Sequence, residues 1–567
     1  MHQTLQRLFN KRPFRNRNAE NFDLAEILEV FVDPIPSGVN PFDFENSIVK
    51  GRMGSGKTMF LKANLAYHLY TMIPCLLENQ PPTIPVFIRL SDFQHLDEPK
   101  DIYRAIIVSI VEGLSKAYQE IQSCERMVQI HRGIQTLPGD TGAGRKLPTM
   151  MQTLSKLGAE EYVETISSKL GLDGSVRPEF IEIAGRYEKE QVMEVKSKAQ
   201  PGIADVKRAF EFLLADRKGR ILLLVDEAGS LSKRFFTEDG NNSLFEIWMN
   251  QLRTTEFLRT KIAIYPNTYS DVLIETRYGD LVDLSDDVVD PVGYDQFARK
   301  TATLVNKYFF NAGEQSLRIM DLFESGETGS EDAVEQIIYA SGGNMRRLVQ
   351  VLDQSMNVAS YDTTAPPRVS ARHVAEALKR QSHSVEALYS DGEREFLDDV
   401  AKVCRARNTF RFQFPYKAPA LLKYVSKSEE HNLLRIVEAG GGRKSTTYAF
   451  DYAYCVNHEI PTHYVKETER IDKSRSQRTG SWISRIAQLN ETLVKHASLL
   501  NKVNGVVAFV ARQSGFIKED NTEKQYWFAF QDVVSDDRKG PIIAGRRVRF
   551  CPAEFQGEPI GVAVEML

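Results

Sequence analysis

Residues 51–58 read Gly-Arg-Met-Gly-Ser-Gly-Lys-Thr, between the apolar segment SIVK (47–50) and the helical pattern KTMFLKANLAYHLYTM (57–72). The spacing matches GxxxxGK(S/T), a loop that joins a strand to a helix and binds phosphate. Its glycines let the backbone fold around the anion, so that successive N–H groups and the helix N-terminus point at it. A glycine-rich turn with an incidental lysine is the alternative, and the flanking strand and helix argue against it.

The polar residues of this loop have defined chemical roles. Lys57 would bring a cation to the β- and γ-phosphate oxygens, and the Thr58 hydroxyl would be a ligand of Mg²⁺. The predicted nucleotide-binding residues of the loop are Gly51, Gly54, Ser55, Gly56, Lys57 and Thr58.

A second motif follows the apolar run Ile221–Val225, which ends in the acidic pair Asp226-Glu227. A run without polar residues predicts a strand buried on both faces, and ligands of open α/β sheets bind at the carboxyl ends of such strands. We expect Asp226 to hold Mg²⁺ and Glu227 to act as the general base on the attacking water. The alternative is an ordinary acidic helix start, and the upstream loop favours the catalytic interpretation. The cofactors predicted are ATP and Mg²⁺.

The composition is that of an ordinary globular protein, with 567 residues, 42% of them hydrophobic, and a net charge of −4. This length predicts several domains, and this charge excludes a polycation, so any nucleic-acid contact must come from local basic patches. The five cysteines are widely spaced, which favours neither a disulfide framework nor a zinc site. The basic N-terminus has no apolar signal-peptide core, and no apolar run has the length of a membrane span. We therefore expect a cytoplasmic protein without a membrane partner.

The alternation of strands and helices predicts an α/β P-loop core with a helical insertion. Resemblance to initiator-type ATPases and to cold-shock proteins implies that a helical lid, a winged-helix-like domain and a small β-barrel follow this core. The insertion is inferred from the long distance between the two motifs. The predicted boundaries are 1–45 for an N-terminal lead-in, 46–284 for the core with the insertion at 95–215, 285–367 for the lid, 368–465 for the winged-helix-like domain, 466–501 for a basic linker or helix, and 502–567 for the barrel.

With these motifs, residues 25–360 resemble the AAA+ and STAND ATPases, and within them the origin-recognition and initiator-type group. The segment IAIYPN (262–267) follows the strand that ends in Asp226-Glu227, and its last residue lies where that group carries sensor 1. The resemblance assigns this role to Asn267, with Thr268 as the neighbouring candidate. A strand-end turn at Pro266-Asn267 is an equal alternative. Arg277 lies where this group places an arginine finger that serves the neighbouring subunit of a homo-oligomer, and a solvated surface arginine is again an equal alternative.

The segment Ser341-Gly-Gly-Asn-Met-Arg-Arg-Leu348 resembles the sensor 2 start of the lid helix. The resemblance assigns Arg346 to the phosphates, and Arg347 would then face solvent or a partner. An ordinary basic first turn is the alternative, but arginine there opposes the helix dipole unless an anion is nearby.

Basic and aromatic residues in the C-terminal half predict nucleic-acid contacts. The hairpin around Gly440–Gly442 resembles the wing of a winged helix, with Arg443 and Lys444 at a basic tip that would contact DNA phosphates. A solvated hairpin turn is the alternative. No clear recognition helix is visible in this segment.

Residues 504–567 resemble a cold-shock domain, a five-stranded OB-type barrel that binds single-stranded RNA or DNA on exposed aromatic side chains. Phe516, Trp527 and Phe530 match positions of that aromatic platform. Three other platform positions fall on residues that cannot stack, namely Ala508, Ser514 and Ala529. The resemblance therefore implies weakened nucleic-acid binding or a conversion to protein docking.

The combined prediction is an ATP-hydrolysing, ATP-controlled oligomeric switch with accessory domains that bind DNA or RNA. Bacterial genome defence or mobile-element biology is the setting that this combination suits. Two alternatives stay open: a STAND-type signalling scaffold that assembles around an effector protein, and a loader for DNA replication or transposition.

Overall fold

The structure is a computed structural model, and the chain divides into two compact units. One unit runs from Asn18 to Ser285, and the other combines Met1–Arg17 with Asp286–Leu567. The residues that the structure describes are 2–34, 40–78, 80–96, 98–131, 206, 219–228, 231, 233–236, 244–265, 278–288, 291–324, 332–362, 368–407, 409–413, 421–425, 432–438, 446–462, 486–489, 503–511, 514–520, 522, 524–530, 533, 542–555 and 558–567.

A five-stranded parallel sheet forms the centre of the Asn18–Ser285 unit. Its strands are β1 (Ser47–Lys50), β2 (Thr83–Arg89), β3 (Arg220–Asp226), β4 (Leu258–Ile264) and β5 (Asp280–Asp283). They lie in the order β2-β3-β4-β1-β5, and all neighbouring pairs are parallel. The carboxyl ends of β1 and β3 therefore lie at one edge of the sheet, with the end of β4 between them.

Helices cover both faces of this sheet. Ile221, Leu223 and Val225 of β3 belong to one hydrophobic cluster, whereas Leu222 and Leu224 belong to another. A strand that is apolar on both faces needs cover on both, which the helices provide. This parallel sheet with its helices fits the α/β nucleoside triphosphatase core that the sequence predicts. Among the described residues, the helices of the sheet unit are α2 (Leu24–Val30), α3 (Lys57–Tyr70), α4 (Met72–Leu77), α5 (Pro99–His131), α6 (Lys233–Phe236) and α7 (Leu244–Arg253), and α1 (His2–Lys11) belongs to the other unit.

Helix α5 lies in the range 95–215 that is predicted to be an insertion, but it belongs to the core. Its residues Ile102, Ile106 and Ile110, spaced one turn apart, are fully buried in a cluster against the sheet. Most of the remaining range, 132–205 and 207–215, is outside the described residues. Over the part of the chain that is described, no helix has both the length and the apolarity to cross a membrane.

The predicted N-terminal lead-in, 1–45, is divided between the two units. Phe14 is fully buried, with ring centroids 5.4 Å from Tyr308 and 6.0 Å from Phe309, so the first 17 residues pack on the helices after residue 286. Residues after Arg17 belong to the sheet unit, where Asp23 and Glu26 form a capping box at the start of α2.

Four helices follow in the range predicted to be a lid: α8 (Pro291–Asn311), α9 (Ile319–Leu322), α10 (Ala333–Ser341) and α11 (Met345–Ser360). Helix α10 ends at Gly342, which has a φ of +60°, and the Asn344 side chain accepts a hydrogen bond from the Arg347 N–H at the start of α11. Glycine adopts such a φ without steric cost, and asparagine is a preferred N-cap, so the local sequence accounts for this turn.

The range 368–489 combines helices with a small sheet of the order β7-β8-β6-β9. Its elements are α12 (Ala371–Glu386), α13 (Asp391–Ala406), β6 (Arg411–Gln413), α14 (Leu422–Val425), β7 (Leu434–Glu438), β8 (Thr447–Phe450), α15 (Tyr452–Asn457) and β9 (Ala487–Gln488). Strands β7 and β8 form an antiparallel hairpin. Its predicted basic tip, with Arg443 and Lys444, is outside the described residues. Strand β9 comes from the predicted linker 466–501 and pairs with β6, so that range is not only a linker.

The last five strands close into a barrel in the order β10-β11-β12-β14-β13. They are β10 (Val503–Val510), β11 (Ser514–Glu519), β12 (Gln525–Ala529), β13 (Arg547–Phe555) and β14 (Glu558–Met566). Val507, Ile517, Phe528 and Phe550 are buried inside the barrel.

Candidate nucleotide site and aromatic surface

The loop Gly51–Thr58 joins β1 to α3, as its sequence predicts. Gly54 and Gly56 have φ values of +82° and +100°, which favour glycine. At Gly51 the reason is space, because a Cβ would lie 2.2 Å from the Ser55 Oγ. That hydroxyl is buried, and none of the described groups hydrogen-bonds to it. The loop is therefore a tight turn with a buried polar atom that a phosphate could bind.

Lys57 is buried at the start of α3, and its ammonium group is held by the loop and by a tyrosine. The Nζ donates hydrogen bonds to the carbonyl oxygens of Gly51 and Arg52 at 2.7 and 2.8 Å. It also lies 4.0 Å from the centroid of the Tyr265 ring, within the range of a cation–π interaction. Tyr265 directly follows β4 and was not predicted from the sequence as a site residue.

Asp226 lies at the end of β3, close to the loop, and is 2% exposed. The Thr58 hydroxyl hydrogen-bonds to its carboxylate, and its Oδ1 accepts the Glu227 N–H at 2.9 Å. The pKa of Asp226 lies above its ordinary value because burial raises it by more than these hydrogen bonds lower it. The Oδ2 atom is buried without a hydrogen-bond partner among the described residues. A carboxylate oxygen and a hydroxyl are ligands that Mg²⁺ accepts, so Asp226 and Thr58 fit a magnesium ion.

Glu227 is held by two side chains at the end of β2. Its backbone has a φ of +55°, uncommon for a residue other than glycine. The Ser91 hydroxyl donates a short hydrogen bond to its carboxylate, and the Arg89 Nε lies 3.9 Å from the same oxygen. Arg89 is the register partner of Asp226, so the sheet itself brings this arginine to the acidic pair. Arg89 and Ser91 were not predicted as site residues, and their position at the carboxyl end of an apolar strand was the available signal.

The roles of the remaining residues predicted for catalysis stay predictions. Asn267, with its neighbour Thr268, and Arg277 are outside the described residues. Arg346 lies in the first turn of α11, and its role toward phosphate stays a prediction.

Arg347 was expected to face solvent or a partner, and it pairs with a carboxylate of the same chain. Its Nη1 and Nη2 atoms lie 2.6 and 2.7 Å from the two carboxylate oxygens of Asp451, and both side chains are largely buried. Such a two-pronged pair has fixed geometry. Asp451 also caps α15, so Arg347 ties the start of α11 to the segment after the β7-β8 hairpin.

Three aromatic side chains form a row on the outside of the barrel: Phe509 (58% exposed), Phe516 (39%) and Trp527 (41%). Phe509 is the register partner of Phe516, which is the register partner of Trp527. We call these three residues the aromatic row. Lys518 is exposed two residues along β11 from Phe516, so it lies on the same face.

Phe509 enters the aromatic row because β10 is irregular. A register shift lies between Val507, which is buried in the barrel, and Phe509. One extra residue in a strand reverses the side on which the following side chains lie. Strict alternation from Val507 would bury Phe509, and for this reason the sequence analysis missed it. Phe530, which was predicted for the platform, instead packs against the barrel interior near Phe528.

No protein-family model and no curated protein matches the chain. Among solved structures, it is similar to the ORC2 protein of Aeropyrum pernix (ADPNP-ADP complexes), with 11% identity over 82% of this chain and 95% of that chain and a TM-score of 0.30. It is also similar to the Drosophila Unr CSD456 structure, with 20% identity over 14% of this chain and a TM-score of 0.12. That second match spans 31% of the other chain, less than a third of its length.

Proposed function

We propose that this chain binds ATP with Mg²⁺ and hydrolyses it. The observation that carries the proposal is the meeting of the Thr58 hydroxyl with the buried carboxylate of Asp226, whose Oδ2 has no hydrogen-bond partner among the described residues. An unsatisfied buried carboxylate oxygen costs free energy unless a ligand compensates it. A magnesium ion carried by a nucleotide compensates it, and the adjacent glycine loop with Lys57 supplies the phosphate contacts.

Each side chain of the site has a part in this reaction. Lys57 donates to the β- and γ-phosphate oxygens, and Thr58 with Asp226 would hold Mg²⁺, which neutralises charge on the phosphates when bound. Glu227 accepts a proton from the attacking water. Ser91 and Arg89 hold the Glu227 carboxylate beside the site, so they set where that base acts. Asn267, Arg277 and Arg346 are the candidates for sensing the γ-phosphate and for completing the site of a neighbouring subunit.

The sheet supports a place among the AAA+ and STAND ATPases. Strand β4 lies between the strand of the phosphate loop and the strand of the acidic pair. This strand order supports the proposal that Asn267, which follows β4 in the sequence, hydrogen-bonds the γ-phosphate or the attacking water. We propose that nucleotide binding controls assembly of the chain into a homo-oligomer, with Arg277 as the residue that acts across subunits.

The C-terminal modules support a nucleic-acid partner. The aromatic row offers three stacking surfaces beside the cation Lys518. Each stacked base contributes about 1–3 kcal/mol, so three positions are enough for measurable single-strand binding. The succession of α13, β6, α14 and the β7-β8 hairpin supports the winged-helix assignment, for which Arg443 and Lys444 are the proposed phosphate contacts.

The test of ATP hydrolysis uses the full chain with Mg²⁺ and measures phosphate release and nucleotide binding. Glu227→Gln should retain ATP binding and lower kcat about 100-fold or more, because it removes the base and keeps the shape. Glu376→Gln, which changes an exposed glutamate of α12, is the matched control and should leave both unchanged. Hydrolysis that is unaffected by Glu227→Gln would contradict the proposal.

A second measurement tests the partner. Single-stranded RNA and DNA should bind the chain. Trp527→Ala or Phe509→Ala should weaken that binding about 5- to 150-fold. The control Ile543→Ala, at an exposed position outside the aromatic row, should leave the binding unchanged. Molecular mass with and without ATP then reports assembly. Assembly without nucleic-acid binding would support the scaffold around an effector protein. A steep loss of DNA binding with salt would support the loader.

A further inference from the structure

Tyr265 lies where it can act on the phosphate loop. It directly follows Ile264, the last residue of β4, and the carbonyl oxygen of Ile264 accepts a hydrogen bond from the Gly51 N–H at 3.4 Å. The backbone before Tyr265 is thus attached to the first residue of the loop. With β4 between β1 and β3, the ring lies at the edge of the sheet where phosphate would bind.

Three groups around the Lys57 ammonium already engage it. The carbonyl oxygens of Gly51 and Arg52 accept hydrogen bonds from it, and the face of the Tyr265 ring has its centroid 4.0 Å from Nζ. An ammonium has three donors and no more. A phosphate oxygen that accepts a hydrogen bond from Lys57 must therefore replace one of these partners.

The ring is the partner that a phosphate replaces. A hydrogen bond between an ammonium and a charged phosphate oxygen is stronger than a cation–π interaction, whereas exchanging a carbonyl partner replaces one hydrogen bond with another. The two carbonyls also belong to the loop that cradles the phosphate, so they stay near Lys57 when the anion binds.

We propose that Tyr265 is a positioning residue that competes with phosphate for Lys57. This inference rests on the proposed function of the site as a nucleotide site. The ring holds the ammonium toward the end of β4, and nucleotide binding moves the ring away.

The experiment measures the affinity of the full chain for ATP and ADP by calorimetric titration. Tyr265→Phe keeps the ring face and should bind within about twofold of wild type. Tyr265→Leu removes the competitor and should bind about 2- to 30-fold more tightly, the range that follows from a cation–π interaction. A purely structural defect would weaken binding, so the direction of the change separates the two roles.

The possible outcomes are distinct. Affinity of Tyr265→Leu that equals or falls below wild type, with wild-type thermal unfolding, overturns the inference and leaves the nucleotide site intact. If Tyr265→Leu unfolds early, Tyr265→Met, which is flexible and of similar reach, takes its place with the same expected gain. No ATP binding by the wild-type chain would instead refute the proposed function, and this inference with it.

Discussion

Replacing Gly343 by alanine should destabilise the start of α11 much more than the same change at its neighbour Gly342. A Cβ at Gly343 would lie 2.0 Å from the Asp286 carbonyl oxygen and 3.0 Å from its carbonyl carbon. The Asp286 side chain is held by Lys300 of α8, with the Nζ 2.9 Å from both carboxylate oxygens, so this backbone is not free to retreat. At Gly342 a Cβ would meet nothing within 4 Å.

The two positions share one cost and differ in another. Both glycines have left-handed backbone, with φ values of +60° and +79°, so alanine costs about 1 kcal/mol at either. Only Gly343→Ala adds a collision with backbone, and forcing atoms into a packed site costs roughly 1–3 kcal/mol. We therefore expect a loss of about 1 kcal/mol for Gly342→Ala and about 3 kcal/mol for Gly343→Ala.

Native-state hydrogen exchange read by mass spectrometry measures this difference locally. Peptides that cover α11 should exchange about 100-fold faster in Gly343→Ala than in wild type, and about fivefold faster in Gly342→Ala, since 1.4 kcal/mol is a factor of ten. Peptides from the sheet unit serve as internal controls. Equal exchange of α11 in the two variants would refute the reasoning, because it would show that the segment around Asp286 moves aside without cost.

Two further predictions concern buried charge. Burial, followed by the charges of Lys261 and Arg220, lowers the pKa of His68 from 6.5 to about 4. Between pH 4 and 6.5 the unfolded chain therefore binds a proton at His68 that the native chain does not bind. The free energy of unfolding should fall as the pH drops from about 6.5 toward 4, by roughly 2.5 kcal/mol at pH 4.5. His68→Gln should lack this component when denaturant unfolding is compared at pH 7 and 4.5, and identical pH profiles would contradict the assignment. Asp353 is buried, and its Oδ2 atom lies 3.1 Å from the Nη2 atoms of Arg12 and Arg17 in the N-terminal segment. Asp353→Asn should lower the free energy of unfolding by about 1–3 kcal/mol and speed proteolysis within the first 17 residues. The control Asp399→Asn, at an exposed pair with Lys402, should lower it by less than about 1 kcal/mol. Equal effects would show that the N-terminal segment does not depend on Asp353.

The candidate nucleotide site was predictable where its features depend on residues that are neighbours in the chain. The loop at 51–58 needs glycines because its backbone turns with positive φ and leaves no space beside Ser55. The run before Asp226 is apolar because both faces of β3 are buried. The backbone turn of the loop and the burial of β3 each act on consecutive residues, so both can be recognised in the sequence.

The surroundings of Lys57 and Glu227 were not predictable in this way. Ser91 and Arg89 reach Glu227 from a strand more than a hundred residues earlier, and Tyr265 reaches Lys57 because β4 inserts between β1 and β3. Strand order arises from how the whole sheet packs, and no local periodicity encodes it.

Long-range pairing also altered the predicted boundaries. The basic N-terminus predicted a lead-in, but the cations of its first 17 residues pair with Asp353 and with Glu314 after residue 286. In the barrel, alternation places Phe509 inside, and the register shift in β10 places it outside. The sequence shows where charged residues lie and where polar and apolar residues alternate. It does not show which distant residue a charge pairs with, or where a strand changes register.

Local residue patterns were enough to predict the glycine-rich loop, the acidic pair and the parallel α/β core, because backbone geometry and strand burial restrict which residues can be neighbours. The folded chain was needed to show which side chains hold Lys57 and Glu227, that α5 belongs to the core, and that Phe509 joins the aromatic row. Those features depend on contacts between distant segments, where the free energy comes from packing and charge pairing of the folded chain.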